Sequence, residues 1–210
     1  MTILAVDTSC AVASAAVIRD GVCVLERDAD TDRRHAETVQ PLIEAVLDEA
    51  GLSVRDIDLF AVDVGPGSFT GVRIGVSAVN AMAYAAGKRV VPVDALAALA
   101  EPYADTGEPV AAILDAGNGN VYFALLRAGE ALIAPDAPSM AECAERIPAG
   151  AHIVGDTGSR DSEKTYPTAK QVGLRAYRSA EAAVDMAKPM YLRPSQAERM
   201  WKLRQEGRRA

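Results

Sequence analysis

The 210-residue sequence is poor in the residues that most often carry chemistry, with three cysteines, two histidines and one tryptophan. Cys10, Cys23 and Cys143 are too few and too scattered for a disulfide framework or a metal knuckle, which suits a reducing compartment. His35 and His152 have no His, Cys or Glu at metal-ligand spacing, so a surface or capping role is expected for each, and no metal. No Ser/His/Asp or Cys/His arrangement stands out. No apolar run approaches the roughly 20 residues that span a bilayer. The opening MTILAVDTS has no basic n-region, so the expectation is a cytoplasmic protein without signal peptide or membrane contact. Positive charge is also short: the net charge of −7 excludes a stand-alone nucleic-acid binder, which needs a basic face. From Lys188 onward seven Lys/Arg stand against Glu198 and Glu206, leaving a tail of +5 on a body of −12. Such a tail either touches RNA or an acidic partner, or simply keeps the protein soluble.

What is present is a regular alternation of strand and helix patterns. Residues 2–6, 12–18 and 22–27 are strand-like, the last two joined by the turn Arg19-Asp20-Gly21. Val39, Leu42, Ile43, Val46, Leu47 and Ala50 recur at helical spacing within 35–52, and Pro41 marks either the start of the regular helix or a bend. A strand at 57–64, a helix at about 70–86, a strand at 89–93 and a helix at about 94–103 complete the order βββαβαβα, an α/β domain with a mixed sheet. After the Pro/Gly/acid stretch 101–109, strands 110–114 and 121–127 flank DAGNGN. This echo of the opening strand, DTS, strand suggests two related halves. A short helix within the polar stretch 134–150, a strand at 152–154 and a helix at 179–187 follow. The expected divisions are 1–103, a smaller lobe 104–195 and a basic tail 196–210 holding Trp201.

Three turns are candidates for chemistry. Asp7-Thr8-Ser9 ends the first strand, where an Asp can hold a metal-bound water and hydroxyls can face a phosphate; an Asx or ST turn uses the same residues. The loop VDVGPGSFTGVRIG, 62–75, is no P-loop, yet it can gather N–H groups at a helix N-terminus where the dipole favours an anion. It reads equally as a helix start capped by Ser68 or Thr70. Asp115-Ala-Gly-Asn-Gly would face Asp7 across a cleft in a two-lobed nucleotide binder, or is an Asn-Gly hairpin turn.

Taken together, ILAVDTS, HAETVQPLIEAVLDEAGL, VDVGPGSFTGVRIGVSAVNAMAYAAGKRVVPVDALAAL, LDAGNGNVYFALL and PMYLRPSQAE resemble the TsaB (YeaZ) family over most of the chain. The resemblance implies the actin-like/sugar-kinase (ASKHA) two-lobed fold with mixed sheets, here with a truncated C-terminal lobe. It also implies a paralogue of TsaD, which transfers threonylcarbamoyl from threonylcarbamoyl-AMP to the adenosine beside the anticodon of tRNAs. In TsaD-like sequences the strand matching RVVPV runs into a metal-binding His-x-Glu-Gly-His segment. Here Ala95-Leu96-Ala97-Ala98-Leu99 stands in its place, and these side chains cannot ligate a metal.

The resemblance therefore implies a non-catalytic subunit that binds TsaD as a heterodimer, engages a TsaE-type ATPase through that pair, and meets tRNA only within the complex. It also implies a homodimer. Both contacts would use helices 36–50 and 70–86, with Val39, Ile43, Val46, Leu47, Gly71, Val72, Gly75, Val79 and Met82 at the interface. The small residues of the second helix either admit a partner helix or pack on the chain's own sheet. Asp7, Thr8, Ser9, Gly67, Ser68, Asp115 and Gly117 are candidate vestigial nucleotide contacts. No cofactor is assigned to this chain, although ATP or ADP is compatible with the partner interface. The family's turn after Leu114 commonly carries a basic residue, whereas DAGNG carries none, which weakens a contact with RNA. The alternative is an active ATP-binding small-molecule kinase or ATPase of the same superfamily.

Overall fold

The structure, a computed structural model, describes residues 1–31, 34–157 and 165–193. The basic tail and Trp201 lie outside the described residues.

The first lobe is built on a five-stranded sheet in the order β3-β2-β1-β4-β5. Its strands are β1 (Thr2–Asp7), β2 (Val12–Arg19), β3 (Val22–Asp30), β4 (Leu59–Asp63) and β5 (Val90–Val93). The first three pair antiparallel; β4 and β5 add on in parallel. Strands β1 and β4 are apolar along most of their length because both of their faces are covered. Edge strand β3 carries exposed residues along its length.

Helices α1 (His35–Glu49) and α2 (Phe69–Ala86) cover one face. The α1 stripe Val39, Leu42, Ile43, Val46 and Leu47 packs with Val72, Val76 and Val79 of α2 against Leu4, Val6, Phe60 and Val62. Helix α1 passes through Pro41 without stopping. The opposite face is covered by α5 (Ala169–Arg178), whose Ala169, Val172 and Ala176 meet Ile3, Ala5, Ile18, Leu59 and Ala61.

Two expectations are corrected here. The helix placed at 179–187 lies instead at 169–178, launched by a capping box between Thr168 and Gln171. Only a single 3-10 turn, Ala180–Ala182, falls within 179–187, and Val184 bridges to Val90. The expected lobe 104–195 is also divided: α5 packs on the first sheet, while Thr165 and Tyr166 bond to Gly155 and Asp156 of the second lobe.

The second sheet has the order β8-β7-β6-β9, from β6 (Pro109–Gly117), β7 (Asn120–Arg127), β8 (Glu130–Asp136) and β9 (His152–Gly155). Strand β8 was absent from the sequence reading. Helix α3 (Ala95–Ala100) packs on one face against Val110, Ala112, Leu114 and Ala124; α4 (Met140–Arg146) places Cys143 on the other with Ala111, Ile113 and Phe123. Arg178 of α5 joins the lobes, pairing with Glu101 and Asp105 just after α3.

Candidate functional site

A cleft of about 380 Å³ is lined by the end of the β1 segment (Ser9, Cys10), the loop before α2 (Gly67, Ser68), the end of β6 (Leu114, Asp115) and Asp156 with Tyr166. Four of the seven candidate nucleotide residues therefore line it: Ser9, Gly67, Ser68 and Asp115. Gly117 lies in a neighbouring depression around the hairpin turn. Asp7 and Thr8 do not face the cleft, because both are fully buried beneath it.

The burial of Asp7 and Thr8 follows from how the loops lock together. Thr8 Oγ1 donates to Gly71 O at 2.8 Å, and Ser68 N donates to Ser9 O at 2.7 Å. A Cβ on Gly67 would overlap Ser9 O, and one on Gly71 would overlap Thr8 O. The glycines of GPGSFTG thus let the loop and the first turn of α2 press against the Asp7-Thr8-Ser9 turn. Ser68 is the N-cap of α2, its Oγ accepting from Gly71 N at 3.2 Å. His35 is buried, not a surface group, with Nε2 at 2.8 Å from Cys10 O. His152 is exposed and pairs with Glu108.

Asp63, at the end of β4, completes this arrangement. Ser9 N donates to Asp7 Oδ1 at 2.9 Å and Gly65 N to Asp63 Oδ1 at 2.6 Å, so each carboxyl closes its own turn. Asp63 Oδ2 is buried, and both the Asp7 carboxyl and the Ser9 side chain act on the Asp63 carboxyl. Burial pushes both acids above the usual carboxylate range, Asp63 well above it with the Asp7 charge as the next cause. The direction of both shifts favours a protonated carboxyl at Asp63. Burial, then the nearby Asp7 carboxylate, also raises the Cys10 thiol to about 12, leaving it unreactive.

The second-lobe turn behaves differently. Asp115 is exposed and its Oδ1 accepts from Gly117 N at 2.8 Å; Asn118 and Gly119 both have positive φ, as a tight Asn-Gly hairpin requires. Asp156 follows β9, and its Oδ2 accepts from Tyr166 OH at 3.1 Å. Asp156, Tyr122 and Tyr166 were missed in the sequence; the signal for Asp156 is that an Asp follows β9 much as Asp63 ends β4. A nucleotide fits this cleft poorly on its first-lobe side, since Asp7 and Thr8 are committed to internal bonds and Gly67 to a backbone contact. Among the described residues no group of three His, Cys, Asp or Glu is placed to hold a metal.

The residues expected at an interface on α1 and α2 lie on the inner side of both helices. Val39, Ile43, Val46, Leu47, Gly71, Val72, Gly75 and Val79 are buried in the chain's own core, and Met82 is partly buried against it. What α2 turns outward is Phe69, Arg73, Ser77, Ala81, Tyr84 and Ala85, with Tyr84 84% exposed.

The fold and cleft define a two-lobed α/β protein, with one lobe built on a five-stranded sheet and a second on a four-stranded sheet. The family model described as TsaD, tRNA N6-adenosine threonylcarbamoyltransferase, matches residues 29–171. The chain is 34% identical to the tRNA threonylcarbamoyladenosine biosynthesis protein TsaB of Haemophilus influenzae over 125 residues, 59% of this chain and 52% of that protein. The figure for the Escherichia coli protein of the same name is 35% over 126 residues, covering 59% and 54%. The chain thus spans about half the length of the curated relatives it matches. The structure of YeaZ from Pseudomonas aeruginosa superimposes with a TM-score of 0.73 at 30% identity, over 91% of this chain and 99% of that one. The chain belongs to the TsaB/YeaZ family.

Proposed function

We propose that the chain is a non-catalytic subunit of the tRNA N6-threonylcarbamoyladenosine machinery, which binds and stabilises a TsaD-type transferase through the outward face of α2. The observation that carries this reading is that face itself. An 18-residue helix buries its valines on its own sheet and still presents small residues, Ser77, Ala81 and Ala85, beside a fully projecting Tyr84. Small side chains let a second helix approach closely, and an exposed tyrosine offers an anchor with a polar tip. The α1 surface beside it is acidic, with Glu44, Asp48 and Glu49 exposed.

The absence of catalysis in this reading is supported by α3. Where TsaD-like sequences carry their histidine pair, Ala95, Leu96 and Leu99 form the core between α3 and the second sheet. The same α2 face serves a homodimer when no transferase is bound, and a TsaE-type ATPase acts through the heterodimer. The setting is the cytoplasm, with tRNA reached only within the complex. Among the described residues no helix is long and apolar enough to cross a membrane.

The test is copurification with the transferase from the native host, followed by tRNA modification with and without this chain. Ala81→Arg and Tyr84→Asp are exposed, so both are expected to fold normally while weakening the complex at least tenfold. Equal modification by the transferase alone would sink the proposal. The kinase or ATPase alternative has the cleft in its favour; calorimetry with magnesium and ATP at millimolar concentration distinguishes it, and measurable binding with turnover would favour it.

A further inference from the structure

After α5 the chain does not simply end on the first lobe. Val184 exchanges both backbone hydrogen bonds with Val90, each at 2.8 Å, adding one rung beyond edge strand β5. The buried Asn80 of α2 then grips the backbone of Ala187 from both sides, Nδ2 donating to its O at 3.0 Å and Oδ1 accepting from its N at 2.9 Å. Met190 N donates to Val64 O at 2.7 Å, at the start of the loop that enters α2. Arg73 Nε donates to Tyr191 OH at 2.7 Å, and the Tyr191 ring packs on Phe69 with centroids 4.9 Å apart. The Arg73 guanidinium lies 3.8 Å above the Phe69 ring, closing a three-membered cluster at the first turns of α2. Two residues later, Arg193 Nη1 donates to Ala116 O at 2.8 Å and Gly117 O at 3.3 Å, in the second-lobe hairpin turn.

One extended stretch of ten residues therefore touches the edge of the first sheet, the middle and start of α2, the loop preceding α2, and the turn of the other lobe that borders the cleft. We propose that residues 184–193 are a strap that couples the exposed face of α2 to the second-lobe turn at Asp115, so that each holds the other in place. The coupling is physical because the contacts are discrete and made largely by backbone atoms: the strap cannot leave Arg73 and Asn80 while holding the turn through Arg193 without losing hydrogen bonds at one end. It deepens the partner reading, since a protein seated on α2 beside Phe69 and Arg73 would also steady the mouth of the cleft. It does not depend on that reading, because both ends of the strap belong to this chain.

Hydrogen exchange by mass spectrometry on the full chain, with no partner present, tests it. Arg193→Ala removes the contact with the turn and leaves Tyr191, the residue stacked on Phe69, unchanged. The expected result is faster exchange by on the order of tenfold in peptides covering 115–121, together with a several-fold increase in those covering 64–74. Tyr191→Phe, which removes only the hydroxyl, is expected to speed exchange at 115–121 from the other end by a smaller factor. Arg193→Lys, which keeps a donor, should restore part of the protection. Exchange that rises at 115–121 alone in Arg193→Ala, with 64–74 unchanged, would overturn the coupling. So would a Tyr191→Phe effect confined to α2. Because the experiment uses no transferase, a failed partner assay and a failed strap are separate outcomes.

Discussion

The two lobes carry the same motif in two chemical states. In each, an antiparallel run of three strands is followed by a helix and a parallel fourth strand, as β1-β2-β3-α1-β4 and then β6-β7-β8-α4-β9. In each, the first strand runs into an Asp-bearing turn and an Asp stands at the end of the fourth: Asp7 with Asp63, and Asp115 with Asp156. The first pair is sealed under glycine-mediated contacts and fully buried; the second pair borders an open cleft. The difference shows how the same strand and helix order can serve as scaffold in one lobe and border a cleft in the other. Once the loop before α2 is pressed onto the Asp7-Thr8-Ser9 turn, the residues that could have faced a ligand hold two loops together instead.

The largest expected effect breaks this contrast at its tightest point. Gly71→Val places a branched side chain on Thr8 O and should cost about 3 kcal/mol or more. At about 2–4 °C per kcal/mol for a chain of this size, the melting temperature should fall by roughly 6–12 °C. Gly119→Ala in the second-lobe turn, with positive φ but open space, should cost only about 1 kcal/mol. Similar losses in the two melting curves would refute the distinction. Val72→Asp belongs with the severe class, since Val72 is core, so it reports on folding and not on partner binding. Next in size is Leu99→His, which restores one histidine of the TsaD-like pattern but buries an imidazole among alanines and leucines. It should destabilise by about 2–3 kcal/mol and create no metal site, as thermal melts with and without zinc would reveal.

A third test sharpens the difference through pH. Because the folded protein holds the Asp63 proton more tightly than the unfolded chain, its contribution to stability is complete below the ordinary carboxylate pKa. That contribution is lost as pH rises through the raised folded value. Asp63→Asn keeps the acceptor for Gly65 N and supplies a permanent donor to Asp7. The variant should therefore gain on the wild type as pH rises from about 4 toward neutrality; parallel pH–melting curves would contradict the raised Asp63 value. The smallest effect is Ser68→Ala, a lost helix cap worth about 1 kcal/mol, with the cleft left in place.

The order and rough bounds of the first-lobe elements through β5 were legible because long apolar stripes and buried strands have clear periods. Helix α5 was not, although it carried two readable signals: small apolar residues at Ala169, Val172, Gly173 and Ala176 set against Lys170, Arg175 and Arg178, and the Thr168–Gln171 capping box. The stripe of α1 marked a buried face correctly, yet periodicity cannot say whether the cover is the chain's own sheet or a second protein. At the site, residue types named the right turns but not their state. Asp, Thr, Ser and Gly serve a ligand cradle and a loop-to-loop lock equally well, and only the position of Thr8 O beneath Gly71 separates them.

The return of the chain from the second lobe has a consequence for how this protein can be cut or shortened. Residues after β5 and before α5 form a module spliced into the first lobe, entered and left on the same body. Loss or exchange of that module leaves the first lobe's residues all present in one chain. Trimming from the C-terminal end does the opposite: removal of 165–193 strips α5 from Ile3, Ala5, Ile18 and Leu59 and exposes a whole apolar sheet face. In this architecture the inserted part is internal, and the end of the described chain is part of the foundation.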